Sequence, residues 1–479
     1  VPARVLGDKP VLARQLAATF PDTSAARFLE KLNGAHPTYL RRRALPEEVK
    51  QIHALGEIGI EFPREDERLY PQRELAAHVL GYVNADGDGV MGMERALNER
   101  LVDTSLRATP TMLSIDSRVQ AALESELQDA MLITQARGAA GIILDVETGE
   151  VMALASLPVF DPNKIRRATL KHQNNEVTQS VFELGSTFKP LTIAAALDAG
   201  TVTDLAVRYN AMEPIKIGGF TIKDDHSQGR YLNVPETLVH SSNIVTARIA
   251  DNLGQEPMEQ MFRRLGFDER PHIELFERGQ PLWPRSWGRI TNMTVAYGHG
   301  IAVTPLHLAS AYAALVNGGI WRPATLLKVE PGKEARGRRV FKAATSARMR
   351  QLLRMIVSDG TGRKADAPGY RIGGKTGSAE KPSGGGYNKT SLVSTFAAAF
   401  PMDNPRYVVI AMLDEPQGTA ETSFQRTAGW TTAPVVRKVV SRVGPMLGVI
   451  PDEHRDVDVS ELTPLLWKPK SEEQSNATE

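Results

Sequence analysis

The sequence contains no cysteine. A disulfide scaffold, a cysteine nucleophile and a thiolate metal site are therefore excluded, while cytoplasm and periplasm both remain open as compartments. It also lacks an excess of either charge: 57 Lys and Arg stand against 56 Asp and Glu, for a net charge of +1. Duplex DNA as a dominant partner would want a basic surplus, so no nucleic acid is expected, although charged faces can hide within a balanced sum. Nor does any apolar run approach the ~18–20 residues needed to span a bilayer. The longest runs, Leu392–Phe400 and Val408–Leu413, read as buried strands. None of the ten histidines forms a His-Glu-x-x-His pair, and neither a catalytic metal nor a cofactor is expected. The chain opens at Val1-Pro2-Ala3-Arg4, with neither an initiator Met nor a signal peptide, which suggests an upstream segment holding an anchor.

The 479 residues are 42% hydrophobic and 24% charged, an ordinary globular balance with material for two or three domains. Residues 1–108 read as one region of short helical stretches, charged clusters such as Arg41-Arg42-Arg43, and the apolar segment Ala76–Val83. A composition break follows near Ala108-Thr109-Pro110, and residues 109–448 read as one large α/β unit. Gly141–Val146 and Val151–Ser156, joined by Glu147-Thr148-Gly149, carry a hairpin signal. Arg371–Ala379, Ser391–Phe400 and Tyr407–Leu413 are further strands, and long helical patterns lie between the two groups. That grouping predicts an α+β type of architecture, an antiparallel sheet with helices packed on it, rather than a βαβ repeat. Thr304-Pro305, Leu306–Val316 and Asn317-Gly318 spell out a helix with its N-cap, first-turn proline and terminating glycine. Residues 449–479 are polar and charged, and are expected to form a mobile tail.

Chemistry enters at Ser186-Thr187-Phe188-Lys189, which follows Gly185 and opens the apolar stretch Leu191–Leu197, ending at Gly200. This is a loop-to-helix junction, where Pro190 is tolerated because the first helical N–H groups are unpaired anyway. Positions i and i+3 share a helix face, so the Lys189 amine is expected within reach of the Ser186 hydroxyl. The helix N-terminus adds free N–H groups that favour developing anions. To take the serine proton the lysine must be neutral, which requires desolvation or nearby cations. Taken alone, Ser-x-x-Lys is weak and reads as a surface helix start. It recurs as Ser378-Ala379-Glu380-Lys381, but there Pro382 and Gly384-Gly385-Gly386 preclude a helix.

Two further signals strengthen it. Ser241-Ser242-Asn243 lies between the helical patterns Pro235–Val239 and Ile244–Leu253. A hydroxyl and a carboxamide on one loop can relay a proton and hold a substrate amide; the plain alternative is an N-cap before Ile244. Lys375-Thr376-Gly377-Ser378 falls on a predicted strand. Thr376 and Ser378 would share one face, Lys375 would point to the other edge of the cleft, and Gly377 would let backbone approach a ligand. Such a strand can offer an N–H to an oxyanion and hydroxyls to a carboxylate.

The order Ser-x-x-Lys, Ser-x-Asn, Lys-Thr-Gly resembles the penicillin-recognising serine transferases. Phe182–Lys189, Tyr297-Gly298-His299-Gly300 with Thr304-Pro305, and Gly373–Glu380 resemble a class B penicillin-binding protein, most of all the cell-division (FtsI-type) peptidoglycan D,D-transpeptidase. Tyr70-Pro71, Ala76–Gly81 and Gly92-Met93-Glu94 are similar to that family's amino-terminal pedestal domain, so the resemblance covers nearly the whole chain. It implies a transpeptidase domain of the serine β-lactamase-like fold. By the same resemblance Ser186 attacks the penultimate D-alanine carbonyl of a stem pentapeptide, and Lys189 takes its proton. Ser241 would protonate the leaving D-alanine, Asn243 would bind the peptide amide and Lys189, and Lys375 would supply positive potential. Thr376 and Ser378 would hold the terminal carboxylate beside Gly377, and the N–H groups of Ser186 and Ser378 would form the oxyanion hole. The partners implied are stem peptides ending in D-Ala-D-Ala, β-lactam antibiotics and, through the amino-terminal region, a SEDS-type glycosyltransferase and other divisome membrane proteins. The chain is then the periplasmic part of a single-pass inner-membrane protein.

Several rivals share some of these letters. Gly369–Thr376 satisfies the phosphate-loop pattern, with Val408–Glu415 resembling the strand and acid that would hold magnesium. A phosphate loop needs a helix starting at its Lys-Thr, and Gly377 with Pro382 argues against one. A serine β-lactamase would leave the first hundred residues unexplained. A non-catalytic scaffold would not need the whole Ser, Lys, Ser, Asn and Lys set, and an elongation-type class B protein is the nearest alternative. A glycosyltransferase domain would not fit in the region before residue 110. Asn84-x-Asp86-x-Asp88-Gly89 imitates a calcium loop, but Arg95 stands where a bidentate Glu is required, and a solvated turn is the better reading. His299 either lines the cleft or is a plain loop residue.

Overall fold

The structure, a computed structural model, describes residues 2–42, 44–63, 68–106, 108–165, 167–383 and 386–467. Arg43, Gly384, Gly385 and residues 468–479 of the expected tail lie outside the described residues. The chain divides into two compact units, Val1–Arg68 and Leu69–Glu479.

The smaller unit holds the helices Lys9–Thr19, Ala25–Leu32 and Pro46–His53. Asp8 and Ser24 start the first two by accepting the N–H groups of Val11 and Arg27. Such caps satisfy donors that a helix leaves free at its start. Leu12, Leu16, Phe20, Phe28, Leu32 and Ile52 form its core.

The larger unit is built on a five-stranded antiparallel sheet. Its strands are β1 (Gly138–Asp145), β2 (Val151–Leu157), β3 (Gly373–Ser383), β4 (Gly386–Phe400) and β5 (Tyr407–Asp414). Their spatial order is β2-β1-β5-β4-β3. All neighbours run antiparallel, as the sequence predicts, with boundaries within a few residues of the expected ones except for β4, which starts five residues early. The strands read as unbroken apolar runs because both sheet faces are covered. Along β5, Val408, Ile410 and Met412 join one core while Val409, Ala411 and Leu413 join the other. Alternation of side chains across a pleat sends each set to its own layer.

One face carries helices α1 (Ser117–Thr134) and α6 (Thr432–Met446), which contribute Val119, Leu123 and Leu127, and Val436, Val439 and Val443. The other carries α2 (Lys189–Asp198), α3 (Asn243–Leu253), α4 (Pro305–Val316) and α5 (Ala343–Ser358) in the larger core. Thr304 caps α4 as expected, its hydroxyl accepting from His307 N. Residues 69–108, grouped in the sequence with the amino-terminal region, pack with the large unit. Ala76 N donates to a Glu124 carboxylate oxygen at 2.9 Å, and the buried His78 ring meets His172 O at 2.7 Å. Residues 449–467 are likewise bound rather than loose: Leu462 is buried in the core, Asn233 Nδ2 donates to Leu465 O at 2.7 Å, and Trp467 N donates to Glu236 at 2.9 Å. Their polar composition conceals this because the anchors are a few single residues.

Asn84 accepts the N–H groups of Asp86 and Asp88 at 2.8 and 2.9 Å, which makes the calcium-loop look-alike a side-chain-closed turn. Among the described residues, no helix is long and apolar enough to cross a membrane.

Candidate active site

The site is assembled where β3, the edge of the sheet, meets the turn that precedes α2. Gly185–Phe188 forms one 3₁₀ turn running directly into α2, with Pro190 in its first turn. Its surroundings hold it tightly. Phe188 is fully buried and packs on Phe262 and Phe267 at ring separations of 5.5 Å. Thr187 Oγ1 donates to Leu184 O at 2.9 Å, and Tyr312 Oη donates to Thr187 O at 2.8 Å. Ser186, between these anchors, stays partly exposed. Among the described residues its hydroxyl has no hydrogen-bond partner.

Glycine lets β3 approach this turn. A Cβ on Gly377 would lie 2.4 Å from Leu184 O and 2.8 Å from Thr187 Cγ2, closer than any real side chain comes. A Cβ on Gly185 would meet Ser378 O at 3.4 Å. The Lys-Thr-Gly-Ser strand therefore runs alongside the Ser186 turn. As an edge strand it keeps backbone groups that the sheet does not pair.

Lys189 is fully buried, and its amine donates to Ser241 O at 2.5 Å and Ser241 Oγ at 3.0 Å. The helical spacing places the amine within reach of Ser186; among the described residues its hydrogen bonds go to Ser241, because a buried amine must spend its N–H groups on the acceptors around it. Lys375 is also fully buried and donates to Ser241 Oγ at 2.9 Å, Thr376 O at 3.0 Å and Thr376 Oγ1 at 3.1 Å. The expectation that Lys375 points to the far edge of the cleft is thus corrected. Its long side chain turns back round the strand and brings its amine to the same place as the Thr376 hydroxyl.

Thr376 Oγ1 lies 2.9 Å from Thr361 Oγ1, and Ser378 Oγ accepts from Ala428 N at 3.0 Å. Asn243 Nδ2 donates to Lys223 O at 3.0 Å and, among the described residues, forms no bond to Lys189. Ser242 is the N-cap of α3, its hydroxyl accepting from Val245 N, so the plain reading holds for that serine.

Burial governs the charges. Desolvation brings the Lys189 amine down from its usual range to about 7, against the pull of Asp224 and Asp225. Desolvation pushes Lys375 well down too, helped by the neighbouring Lys189 and opposed by Asp225. Two amines on one buried oxygen disfavour a double charge.

The Tyr297–Gly300 loop closes one side. Gly298 has φ +82°, and a Cβ there would fall 2.2 Å from Gly185 O. Glu183 ties the loop down, meeting His299 Nδ1 at 3.2 Å and accepting from Gly300 N at 3.0 Å. His299 thus belongs to the wall beside the Ser186 turn. Burial pushes the Tyr297 hydroxyl up to about 12. The phosphate-loop rival fails on geometry, since Lys375-Thr376 lies inside a strand that runs on to Ser383. Sequence reasoning missed Glu183, which it quoted within Phe182–Lys189 without giving it a role, and Thr361 and Asp224, neither of which sits in a motif that marks it out.

Comparison with known proteins follows the same residues. The penicillin binding protein transpeptidase domain matches residues 139–441. A probable peptidoglycan D,D-transpeptidase FtsI of Caulobacter vibrioides is 40% identical over 459 residues, which is 94% of this chain and 78% of that protein. The peptidoglycan D,D-transpeptidase FtsI of Escherichia coli K12 is 30% identical over 94% of this chain and 77% of its own length. Penicillin binding protein 3 of Mycobacterium tuberculosis, solved with aztreonam, superposes with a TM-score of 0.73 at 29% identity, covering 81% of this chain and 92% of that one. The chain belongs to the penicillin-binding protein transpeptidase family.

Proposed function

We propose that this chain is a peptidoglycan D,D-transpeptidase of the cell-division type, working through an acyl-enzyme on Ser186. The observation that carries the reading is the Ser241 hydroxyl held by two buried lysine amines at 3.0 and 2.9 Å, beside a turn that leaves the Ser186 hydroxyl unpartnered among the described residues.

Hydrogen-bond accounting supports distinct roles. Lys375 has three acceptors around it, which favour its charged form against the burial that pushes it down, and an incoming substrate carboxylate would favour that form further. Lys189 donates to two acceptors, both on Ser241, which leaves a neutral amine its lone pair. That lone pair takes the Ser186 proton as Oγ attacks the penultimate D-alanine carbonyl. The developing oxyanion is met by the N–H groups of Ser186 and Ser378. Ser241, whose lone pairs face the two amines, has its own proton free to pass to the departing D-alanine nitrogen as the C–N bond breaks. Lys189 then returns a proton to Ser241. Asn243 holds the donor peptide amide. Lys375, Thr376 and Ser378 receive the terminal carboxylate, with Gly377 keeping the strand close. An amine from a second stem peptide then attacks the ester, releasing Ser186 and leaving a crosslink. β-Lactams acylate the same serine because their strained amide imitates D-Ala-D-Ala.

The relatives named FtsI support the division type over the elongation type. On the resemblance set out from the sequence, the chain would be periplasmic on an inner-membrane anchor, with a SEDS-type glycosyltransferase and other divisome proteins as partners of the region before residue 109. That region and residues 109–448 would then be the pedestal and the catalytic domain.

The test is to supply a stem pentapeptide ending in D-Ala-D-Ala with an amine acceptor and measure D-alanine release and product. Equal amounts of free D-alanine and acceptor-linked peptide, both lost in Ser186→Ala, are expected. Release of D-alanine with water alone as acceptor would overturn the transpeptidase reading in favour of hydrolysis.

A further inference from the structure

The Ser241 loop is held from outside by a segment that no catalytic motif contains. A small hairpin, Ile215–Ile217 paired with Phe220–Ile222, leads into Lys223-Asp224-Asp225. Ile222 is buried with Ala247 of α3 and Met293, which fixes the hairpin end against that helix. From there Asp224 Oδ2 accepts from Ser242 Oγ at 2.7 Å and Oδ1 accepts from Ile244 N at 2.9 Å. Lys223 O takes the Asn243 amide at 3.0 Å. The three residues following Ser241 are thus tied to one crosspiece, Ser242 and Ile244 to Asp224 and Asn243 to Lys223.

Ser241 itself has φ +61°, the left-handed region that a serine seldom adopts. A residue keeps such a conformation only where its neighbours impose it. This conformation is what presents both Ser241 O and Ser241 Oγ to Lys189, and Oγ to Lys375. We infer that Asp224 is a positioning residue for acyl transfer: by clamping Ser242 and Ile244 it holds Ser241 in the strained turn that shares its hydroxyl between Lys189 and Lys375. The inference rests on the proposed acyl-enzyme chemistry. A cap that merely stabilises α3 would affect how much protein is folded, not how fast the folded protein reacts.

The experiment measures acylation by a labelled penicillin in single-turnover mode, reading the rate constant and the labelled fraction separately. It is run near pH 8.5, above the Lys189 midpoint, so that a shift in that titration does not enter. Asp224→Ala is expected to lower the rate constant at saturating penicillin about 10-fold or more with the labelled fraction kept, since displaced groups misalign the proton path. Asp224→Asn keeps an acceptor for Ile244 N and a polar partner for Ser242, and is expected within about 3-fold of the parent. If Asp224→Ala does not fold, Ser242→Ala decides, because it cuts the clamp on the loop side; a loss of about 5-fold or more in rate constant is expected. A rate constant within about 2-fold of the parent in Asp224→Ala (or in Ser242→Ala as its substitute), or a loss confined to the labelled fraction, would overturn the inference. An unlabelled parent would instead overturn the acyl-enzyme reading on which it stands.

Discussion

Lys189 and Lys375 come from elements 186 residues apart in the chain, yet their amines donate to the same oxygen, Ser241 Oγ. Removing that oxygen leaves two buried amines each short of an acceptor and with nothing between them. Ser241→Ala is therefore expected to slow acylation of Ser186 by about 100-fold or more, the scale of a lost general acid–base group. Stopped-flow measurement with a chromogenic cephalosporin reads this directly, and a change of less than about 3-fold would remove Ser241 from the proton path.

The pH dependence follows from burial of Lys189, which lowers its midpoint to about 7. Below that point the amine carries a proton and has no lone pair for the Ser186 hydroxyl. Above it the amine is neutral. The acylation rate constant is expected to rise about tenfold per pH unit below the midpoint and to level off above it. A profile still climbing towards pH 10 would mean that Lys189 keeps the titration of an ordinary exposed lysine.

Gly377 is expected to tolerate no side chain. In Gly377→Ala the new carbon falls 2.4 Å from Leu184 O, which is backbone and cannot swing aside. The strand must move off the Ser186 turn, at a cost of about 1–3 kcal/mol in stability and with most of the acylation rate. Thermal melting and penicillin labelling of one preparation check both, and parent-like labelling would show that the close approach is not needed.

The fold and the site were legible to different depths. Strands such as Tyr407–Asp414 stand out because a sheet covered on both faces needs unbroken apolar runs. Ser186, Ser241 and Lys375 stand out because their chemistry occupies short fixed spacings. What the letters do not carry is where a long side chain ends. The Lys189 amine lies on Ser241 rather than Ser186, and Lys375 curls back to Thr376, because packing chooses among several reachable acceptors. Asp224 is invisible for the same reason: nothing in Lys223-Asp224-Asp225 signals that one carboxylate closes a loop 18 residues away. The stretch 449–467 reads as a tail because its hold depends on a few residues, Leu462 among them, in a polar context.

Leu462 offers a separate check on that stretch. It is 2% exposed and packs into the larger core. Leu462→Ala is expected to destabilise the protein by about 2–5 kcal/mol, the range for a truncated buried leucine. A melting temperature equal to the parent's would return the segment to the status of a mobile tail.

The central claim is that one hydroxyl, on Ser186, becomes covalently acylated. Intact-mass spectrometry after incubation with a labelled penicillin, followed by peptide mapping, tests it most directly. The expected result is one adduct per chain, on the peptide containing Ser186, absent from a folded Ser186→Ala protein. An adduct on another residue, or none at millimolar penicillin, would contradict the account.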